Sequence, residues 1–200
     1  MKIDQGQADE DSRPWVIVGL GNPGQEYEGH RHNIGFRVVD ELGQRLGGSF
    51  RRHKRARGLA LEGRSGGHRI VLFKPTTYMN EAGQAVSPLT DFYKAGPDRV
   101  IAIHDELDLP FGSLRLKFGG GDNGHNGLKS LRQSLGTGDF FRARWGIGRP
   151  PGRLDPAVFV LRNFSASERG ELEAQVGRTA DAVEALINEG LERAQSQFND

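Results

Sequence analysis

The chain has 200 residues, enough for one domain with a sizeable core, and its 27 lysine and arginine residues nearly balance 26 aspartate and glutamate residues. The formal net charge of +1 therefore argues neither for nor against a nucleic-acid partner. The absence of cysteine excludes disulfide scaffolds, thiolate metal sites and cysteine nucleophiles. No apolar run reaches the roughly 18 residues of a membrane helix, and the polar start MKIDQGQADEDSR lacks the apolar region of a signal peptide. We expect a cytoplasmic protein in which residues 1–13 form a disordered lead and residues 14–200 form a single domain.

Strands and helices are predicted to alternate along the chain. Apolar runs and alternating patterns predict strands over residues 16–20, 49–63, 68–74, 100–104, 112–118 and 141–148. Apolar residues at helical spacing predict helices over residues 34–46, 80–93, 127–135 and a long segment after Ser165. Asn80 is the expected cap of the second helix, and Ser165 with Glu168 forms a capping box for the last. This order predicts an α/β fold: a twisted, mixed and mostly parallel sheet flanked by helices.

The stretch VGLGNPG matches the glycine fingerprint of dinucleotide-binding proteins, Gly19-x-Gly21-x-x-Gly24. The fingerprint also requires a helix that opens at the third glycine and an acidic residue at the end of the next strand. Here no helical pattern begins at Gly24, and Asp40 lies inside the first predicted helix. Pro23 also removes one backbone N–H from the loop. A nicotinamide-dependent oxidoreductase is therefore a weak alternative, and we interpret the stretch as a tight turn that presents Asn22.

Polar side chains are concentrated in segments that follow predicted strands or the first loop. Because an open α/β sheet brings the carboxyl ends of its strands together, these segments should meet in one crevice at that edge. The crevice would hold Asn22, Tyr27, His32, Asn33, Asn80, Asp105, His125 and Asn126.

A histidine beside a carboxylate can activate water, and asparagine amides can donate hydrogen bonds to a developing oxyanion. With no obvious protein nucleophile, the set favours hydrolysis of an acyl bond without metal or covalent intermediate. Ordinary structural roles remain open, because Asn80 can be a helix cap and Asp105 a turn former. His30 and His32 could also bind a metal together with Asp105 and His125, although no paired spacing such as HExxH supports this.

Four blocks together resemble bacterial-type peptidyl-tRNA hydrolases: VGLGNPGQEYEGHRHNIGF, KPTTYMNEAG, HDELDLPFG and GGGDNGHNGLKSL. The blocks stand in the family's order, and the resemblance covers roughly residues 14–190. It implies hydrolysis of the ester that joins a peptide to the terminal ribose of tRNA, which recycles tRNA from prematurely released peptidyl-tRNA. The implied partner is this RNA, with no DNA or membrane partner, no cofactor or metal, and a monomeric protein.

The resemblance also implies roles for individual residues. His32 resembles the general base, Asp105 the carboxylate that supports it, and Asn22 the residue that helps to distinguish peptidyl-tRNA from free aminoacyl-tRNA. Substrate-lining positions are implied for Tyr27, Tyr78, Met79, Asn80, His125 and Asn126. Contacts with tRNA are implied for Arg115, Lys117 and Arg144.

Three residues depart from the family pattern, namely His30 in place of Thr or Ser, Ala82 in place of Ser, and Asn123 in place of Gly. None replaces an inferred catalytic group, and Asn123 is expected to alter the flexibility of the loop over the crevice. Residues 51–57, RRHKRAR, are either a solvated surface or a further phosphate contact. The main alternative function is a non-catalytic RNA-binding relative of the same fold, against which the presence of His32 and Asp105 argues.

Overall fold

A computed structural model describes residues 12–200, so residues 1–11 of the expected lead lie outside the described part of the chain. Within that part, one sheet of seven strands runs in the order β2-β3-β4-β1-β5-β7-β6. The strands are β1 Trp15–Gly19, β2 Arg51–Arg52, β3 Gly58–Ser65, β4 His68–Pro75, β5 Val100–Glu106, β6 Leu114–Phe118 and β7 Phe141–Gly146. The helices are α1 Ile34–Leu46, α2 Ala82–Tyr93, α3 Asn126–Leu135, α4 Pro156–Phe159, α5 Ala166–Glu189 and α6 Leu191–Phe198.

The expected mixed sheet is confirmed. Parallel pairings join β4, β1, β5 and β7 in the centre. Antiparallel pairings add β3 and β2 on one side and β6 on the other. Because β3 is antiparallel to both its neighbours, β2 runs with the central strands, and within residues 12–200 only β3 and β6 run against them. The carboxyl ends of β1, β4 and β5 therefore meet at one edge of the sheet.

Helices cover both faces of the sheet and create two apolar cores. On one face, Ile17 and Ile103 pack with α1 and α5 in a cluster that includes Val38 and Val183. On the other face, Val16, Val18 and Ala102 pack with α2 and α3. Alternate residues of β1 enter opposite cores, as the two-residue period of a strand requires. Across the described residues, none of the helices combines the length and apolarity needed to cross a membrane.

Two expectations about element bounds are wrong. Asn80 is not a helix cap, because a short 3-10 turn at Met79–Glu81 precedes α2 and no side chain caps that helix. The strand expected over residues 49–63 is interrupted between β2 and β3, where the amide of Gly58 donates to the carbonyl of Ala56. The long helix expected after Ser165 is confirmed as α5, and it ends at Gly190, whose φ of 88° lies in the region that favours glycine.

Gly35 allows α1 to begin against the ends of β1 and β5. A Cβ atom at this position would lie 2.5 Å from the backbone nitrogen of Leu20 and would also overlap the carbonyl oxygen of Ile103. Only glycine permits this approach of helix to backbone. The approach places the turn before α1, which carries His32, beside the carboxyl end of β5.

We expect Gly35→Ala to lower the free energy of unfolding by about 1–3 kcal/mol or more, because the added methyl group meets fixed backbone atoms. Gly170→Ala in α5 is the matched control, since nothing lies within 4 Å of a Cβ at that helical position. The control should raise stability by up to about 1 kcal/mol through helix propensity. Urea denaturation of both variants measures the difference, and equal effects would contradict the close-approach argument.

Candidate active site

His32 lies on a 3-10 turn, Arg31–Asn33, that is fixed against the segment after α4. The amide of His32 donates to the carbonyl of Val160 at 2.9 Å, and the amide of Arg31 donates to the carbonyl of Arg162 at 3.0 Å. The buried Arg31 guanidinium also donates to Glu168 at 2.8 Å and lies 4.2 Å from the centroid of the Phe159 ring. These contacts fix the backbone from which the His32 side chain extends.

Asp105, near the end of β5, holds two histidines at once. Its two carboxylate oxygens lie 2.9 and 3.0 Å from Nδ1 of His32, and one of them lies 2.9 Å from Nε2 of His125. Asp105 is only 4% exposed, so both interactions lie away from solvent. Nδ1 of His32 must carry a proton to donate to the carboxylate, which leaves Nε2 of neutral His32 with a free lone pair.

His125 has its tautomer set by a helix terminus. Its Nδ1 accepts hydrogen bonds from the amides of Gly127 at 3.1 Å and Leu128 at 3.3 Å, so it caps α3. Because Nδ1 is an acceptor, the proton of the ring lies on Nε2, which donates to Asp105. The first turn of α3 thus makes His125 a second donor to the same carboxylate.

The electrostatics of the pair follow from burial and proximity. Burial acts to raise the pKa of Asp105, but the two imidazoles outweigh it and hold that pKa well below its usual range. Burial acts to lower the pKa of His32, but the Asp105 charge and hydrogen bond outweigh it and raise the pKa above 6.5. His104, which precedes Asp105 in β5, is also buried. This burial, together with the nearby His125, lowers the pKa of His104 to about 3. Asp105 is therefore a carboxylate, and His104 is neutral.

The same three side chains have the spacing of a metal site, because His32, Asp105 and His125 place one ligand atom each within 4.8 Å of one another. A metal ligand needs a lone pair on the coordinating nitrogen. The α3 amides place the His125 proton on Nε2, the atom nearest Asp105, and so oppose coordination by that atom. His30 does not belong to this group and instead packs edge-on against Tyr27.

Asn22 is held in one orientation by three hydrogen bonds. Its backbone N–H donates to Oδ1 of Asn33 at 2.9 Å, and its backbone carbonyl accepts from Nδ2 of Asn33 at 2.9 Å. Its side-chain oxygen accepts from the amide of Met79 at 2.8 Å. Nδ2 of Asn22 is thereby left without an acceptor among residues 12–200. The glycine turn that matches the dinucleotide fingerprint therefore presents the side-chain amide of Asn22.

Of the remaining substrate-lining predictions, only Asn126 lines the same cavity as the histidine pair. A cavity of about 380 Å³ is lined by His32, Asp105, His125 and Asn126, so Asn126 shares it with the histidine pair. Tyr78 is 56% exposed, and its ring centroid lies 6.3 Å from that of Tyr27.

Met79 and Asn80 occupy different environments on one turn. Met79 is buried in the core beneath α2, so its side chain packs there while its amide holds Asn22. Asn80 is exposed on the same turn, with no hydrogen-bond partner within the described residues. Asn80 is thus adjacent to the residue that orients Asn22.

Two of the three predicted cationic residues come together. Lys117 and Arg144 line a cavity of about 350 Å³ that also includes Arg142 and His104. Arg144 pairs with the buried Glu106 at 3.2 Å. Burial and the neighbouring arginines lower the pKa of Lys117, as expected for a cationic cluster that favours an anion.

Arg115 is separate from that cavity. It lies opposite Arg144 in the β6–β7 ladder, but its Nε donates to the backbone oxygen of Asp200 at 3.1 Å. Of the three cations with implied tRNA contacts, Lys117 and Arg144 therefore share a cavity, whereas Arg115 is exposed beside them.

Comparison with known proteins places this arrangement in context. A family model described as peptidyl-tRNA hydrolase matches residues 16–200. The chain belongs to the peptidyl-tRNA hydrolase family.

A peptidyl-tRNA hydrolase of Streptomyces coelicolor is 56% identical over 191 residues, covering 93% of this chain and 95% of the relative. One from Frankia alni is 54% identical over 189 residues, covering 94% and 95%. The crystal structure of peptidyl-tRNA hydrolase from Acinetobacter baumannii superposes with a TM-score of 0.87 at 36% identity, covering 94% of this chain and 95% of that chain. These relatives overturn the dinucleotide interpretation and support the expected hydrolase of peptidyl-tRNA.

Sequence reasoning missed the buried groups that hold this peptidyl-tRNA hydrolase site together. Arg142 is 2% exposed and donates to the carbonyls of Gly120 at 2.7 Å and Gly138 at 3.1 Å, which anchors the glycine-rich loop before α3. Glu106 accepts from Asn123 at 2.8 Å while its other oxygen faces Arg144. The second acidic residue in HDELD was the available signal for Glu106, whereas nothing local distinguished Arg142.

We expect Asn33→Ala to lower the free energy of unfolding by about 1–3 kcal/mol, because it leaves two buried backbone groups of Asn22 unpaired. Hydrolysis should also slow, since the Asn22 amide loses its fixed orientation. Asn188→Ala, which removes one exposed contact with Ser65, is the control and should stay within about 0.5 kcal/mol. Denaturation and turnover measured on both variants test this, and a fully active Asn33→Ala enzyme would remove Asn33 from the site.

Proposed function

We propose that His32 acts as the general base that activates water for hydrolysis of the peptidyl-tRNA ester. The observation that carries the proposal is the buried His32–Asp105 pair, which leaves Nε2 of His32 with a free lone pair beside a 380 Å³ cavity. Nε2 takes a proton from water as the water oxygen attacks the ester carbon. The ester C–O bond then breaks, and the imidazolium returns the proton to the departing ribose oxygen. The products are a free peptide carboxylate and a tRNA with its terminal hydroxyl group restored.

Asp105 supports this step by charge and by geometry. Its carboxylate fixes the tautomer of His32 and stabilises the imidazolium that forms during attack. His125 restrains the same carboxylate through its Nε2–H, so the orientation of Asp105 does not depend on His32 alone. His125 therefore acts as a positioning residue in this proposal, in addition to the substrate-lining role implied by the family.

The asparagines position the substrate and stabilise the intermediate. The unpaired Nδ2 of Asn22 offers a donor whose direction is set by Met79. Asn126 lines the cavity beside His32, and Asn80 lies on the turn next to Met79. Preorganised amide donors aimed at a developing oxyanion typically contribute about 10²–10³ in rate.

Recognition of the RNA is assigned to the cationic pair Lys117 and Arg144, with Arg115 nearby. Phosphate contacts position a substrate without reading its sequence, which suits an enzyme that accepts many tRNAs. We further propose that the protein works as a monomer in the cytoplasm and acts on RNA rather than DNA, without cofactor or metal.

His32→Ala should reduce turnover of N-acetylaminoacyl-tRNA by about 10²–10⁴, the usual contribution of a general base. The affinity for the tRNA should change little, because the cationic residues lie elsewhere, whereas the melting temperature should fall because the buried Asp105 carboxylate loses one of its two donors. Single-turnover hydrolysis and tRNA titration measure the two effects separately. Turnover near that of the wild type would exclude His32 as the base.

The same assay separates catalysis from simple RNA binding. Unblocked aminoacyl-tRNA is the control substrate, and we expect the enzyme to release far less amino acid from it. A wild-type protein that binds tRNA but releases no N-acetylamino acid above background would favour the non-catalytic RNA-binding function.

The dependence of kcat/KM on pH should show an acidic limb with an apparent pKa above 6.5. His32 must be neutral to accept a proton, so activity falls as pH drops through its raised pKa. Asp105→Asn removes the charge that raises this pKa, so the limb should move to lower pH while the maximal rate falls. A limb that stays in place in Asp105→Asn would contradict the assignment of that limb to His32.

A further inference from the structure

Residues 51–57 carry five cations on the surface of β2 and the turn that follows, and we refer to them as the basic segment. Their side chains are exposed, and within the described residues none of the five lies within ion-pair distance of a carboxylate. Arg57 instead donates to the side-chain amide oxygen of Gln84 at 2.8 Å. Some other exposed arginines, namely Arg45, Arg132 and Arg149, are instead held by acidic partners. The sheet edge therefore presents a cluster of uncompensated positive charge.

The backbone of the basic segment is fixed rather than loosely connected. The amide of His53 donates to the carbonyl of Gly58 at 3.0 Å, and the amide of Gly58 donates to Ala56 at 2.9 Å. The amide of Arg55 donates to Nδ1 of His53 at 3.2 Å, and the Ala56 side chain is buried in the core beneath α2. The cations are thus presented by an ordered turn, which lowers the entropy that a ligand must remove on binding.

An exposed aromatic ring lies within this positive surface. Phe92 of α2 is 39% exposed, and Nζ of Lys54 lies 5.1 Å from its ring centroid. The His53 ring packs edge-on against Phe92 at 4.8 Å. Cations around an exposed aromatic face form the combination that contacts both the phosphates and the bases or sugars of a nucleic acid. An acidic protein partner would use the cations but would have less use for the ring.

The basic segment lies at the same edge of the sheet as the catalytic pair. Gly58 pairs with Pro75 at the carboxyl end of β4, and the amide of Thr76 donates to the carbonyl of Arg57 at 3.0 Å. Tyr78 of the substrate crevice follows two residues later. The cationic pair Lys117 and Arg144 lies on the other flank, and β3 is five strands from β6, or about 24 Å at about 4.8 Å per strand.

We propose that the basic segment binds phosphates of the tRNA body, as a second RNA contact separate from Lys117 and Arg144. This inference rests on the proposed function, because it assumes that the RNA is already held at the crevice. Only a large polyanion can reach both flanks, and the ester-bearing end of such a molecule lies between them. The second contact is intramolecular once the first has formed, so a few charges contribute substantially to affinity.

The test compares two charge-reversal variants on two substrates. One variant combines Arg52→Glu, Lys54→Glu and Arg55→Glu. The matched control combines Arg64→Glu, Arg69→Glu and Arg193→Glu, which changes the net charge equally on surfaces away from the crevice. The substrates are full-length N-acetylaminoacyl-tRNA and the same N-acetylaminoacyl ester on a CCA trinucleotide, each measured from low to moderate salt.

The basic-segment variant should lose at least tenfold in kcat/KM on full-length tRNA at low salt and stay within about twofold on the trinucleotide ester. The slope of log kcat/KM against log salt concentration should become shallower by about 3, since three phosphate contacts are removed. The control variant should lose much less on the full-length substrate. Direct titration with deacylated tRNA should show the same order of affinities.

Two results would overturn the inference. Equal losses of kcat/KM in both variants would mean that only the overall charge of the protein matters. An unchanged kcat/KM and an unchanged tRNA affinity in the basic-segment variant would mean that this surface binds another class of partner. Failure of the proposed function is distinguishable, because the wild-type protein would then hydrolyse neither substrate while the titration with deacylated tRNA still tests the basic segment.

Discussion

The buried carboxylate of Asp105 is the constraint on which the site depends. An ionised carboxylate in the interior is costly unless hydrogen bonds satisfy it, and here two imidazole N–H groups do so. This requirement fixes the rings of His32 and His125 relative to each other, with centroids 4.8 Å apart. The free lone pair on His32 is a consequence of the same arrangement, because its other nitrogen is committed to the carboxylate.

The fold satisfies this constraint by bringing three backbone elements to one point. β5 supplies Asp105, the turn before α1 supplies His32, and the start of α3 supplies His125. Gly35 permits the turn to approach β5, and the α3 amides determine which nitrogen of His125 faces the carboxylate. The geometry of the candidate site is therefore set largely by backbone groups, and side-chain identity matters most where it completes their hydrogen bonds.

Local patterns predicted much of the fold and the central pair. Apolar spacing placed α1 at residues 34–46, and the resemblance of four sequence blocks to peptidyl-tRNA hydrolases singled out His32 and Asp105 among the polar residues expected in the crevice. Sequence patterns also predicted Asn80 as a helix cap, whereas a 3-10 turn precedes α2 at that position. They did not reveal that His125 forms hydrogen bonds both with Asp105 and with the amides at the start of α3. Arg142 was missed because its partners are carbonyl groups of a loop and a turn. Such roles depend on tertiary contacts and leave no periodic signal in the sequence.

Asn123 connects the glycine-rich loop to the acidic residues beside the cationic pair. Its φ of 48° lies in the left-handed region, which asparagine tolerates better than most residues other than glycine. Its Nδ2 donates to Glu106 at 2.8 Å and to Asp108 at 2.7 Å, contacts that a glycine cannot make. Because the other oxygen of Glu106 faces Arg144, the loop over the crevice and the cationic pair share one carboxylate. A movement of this loop that breaks the Asn123–Glu106 bond therefore changes the surroundings of the guanidinium that we propose to bind phosphate.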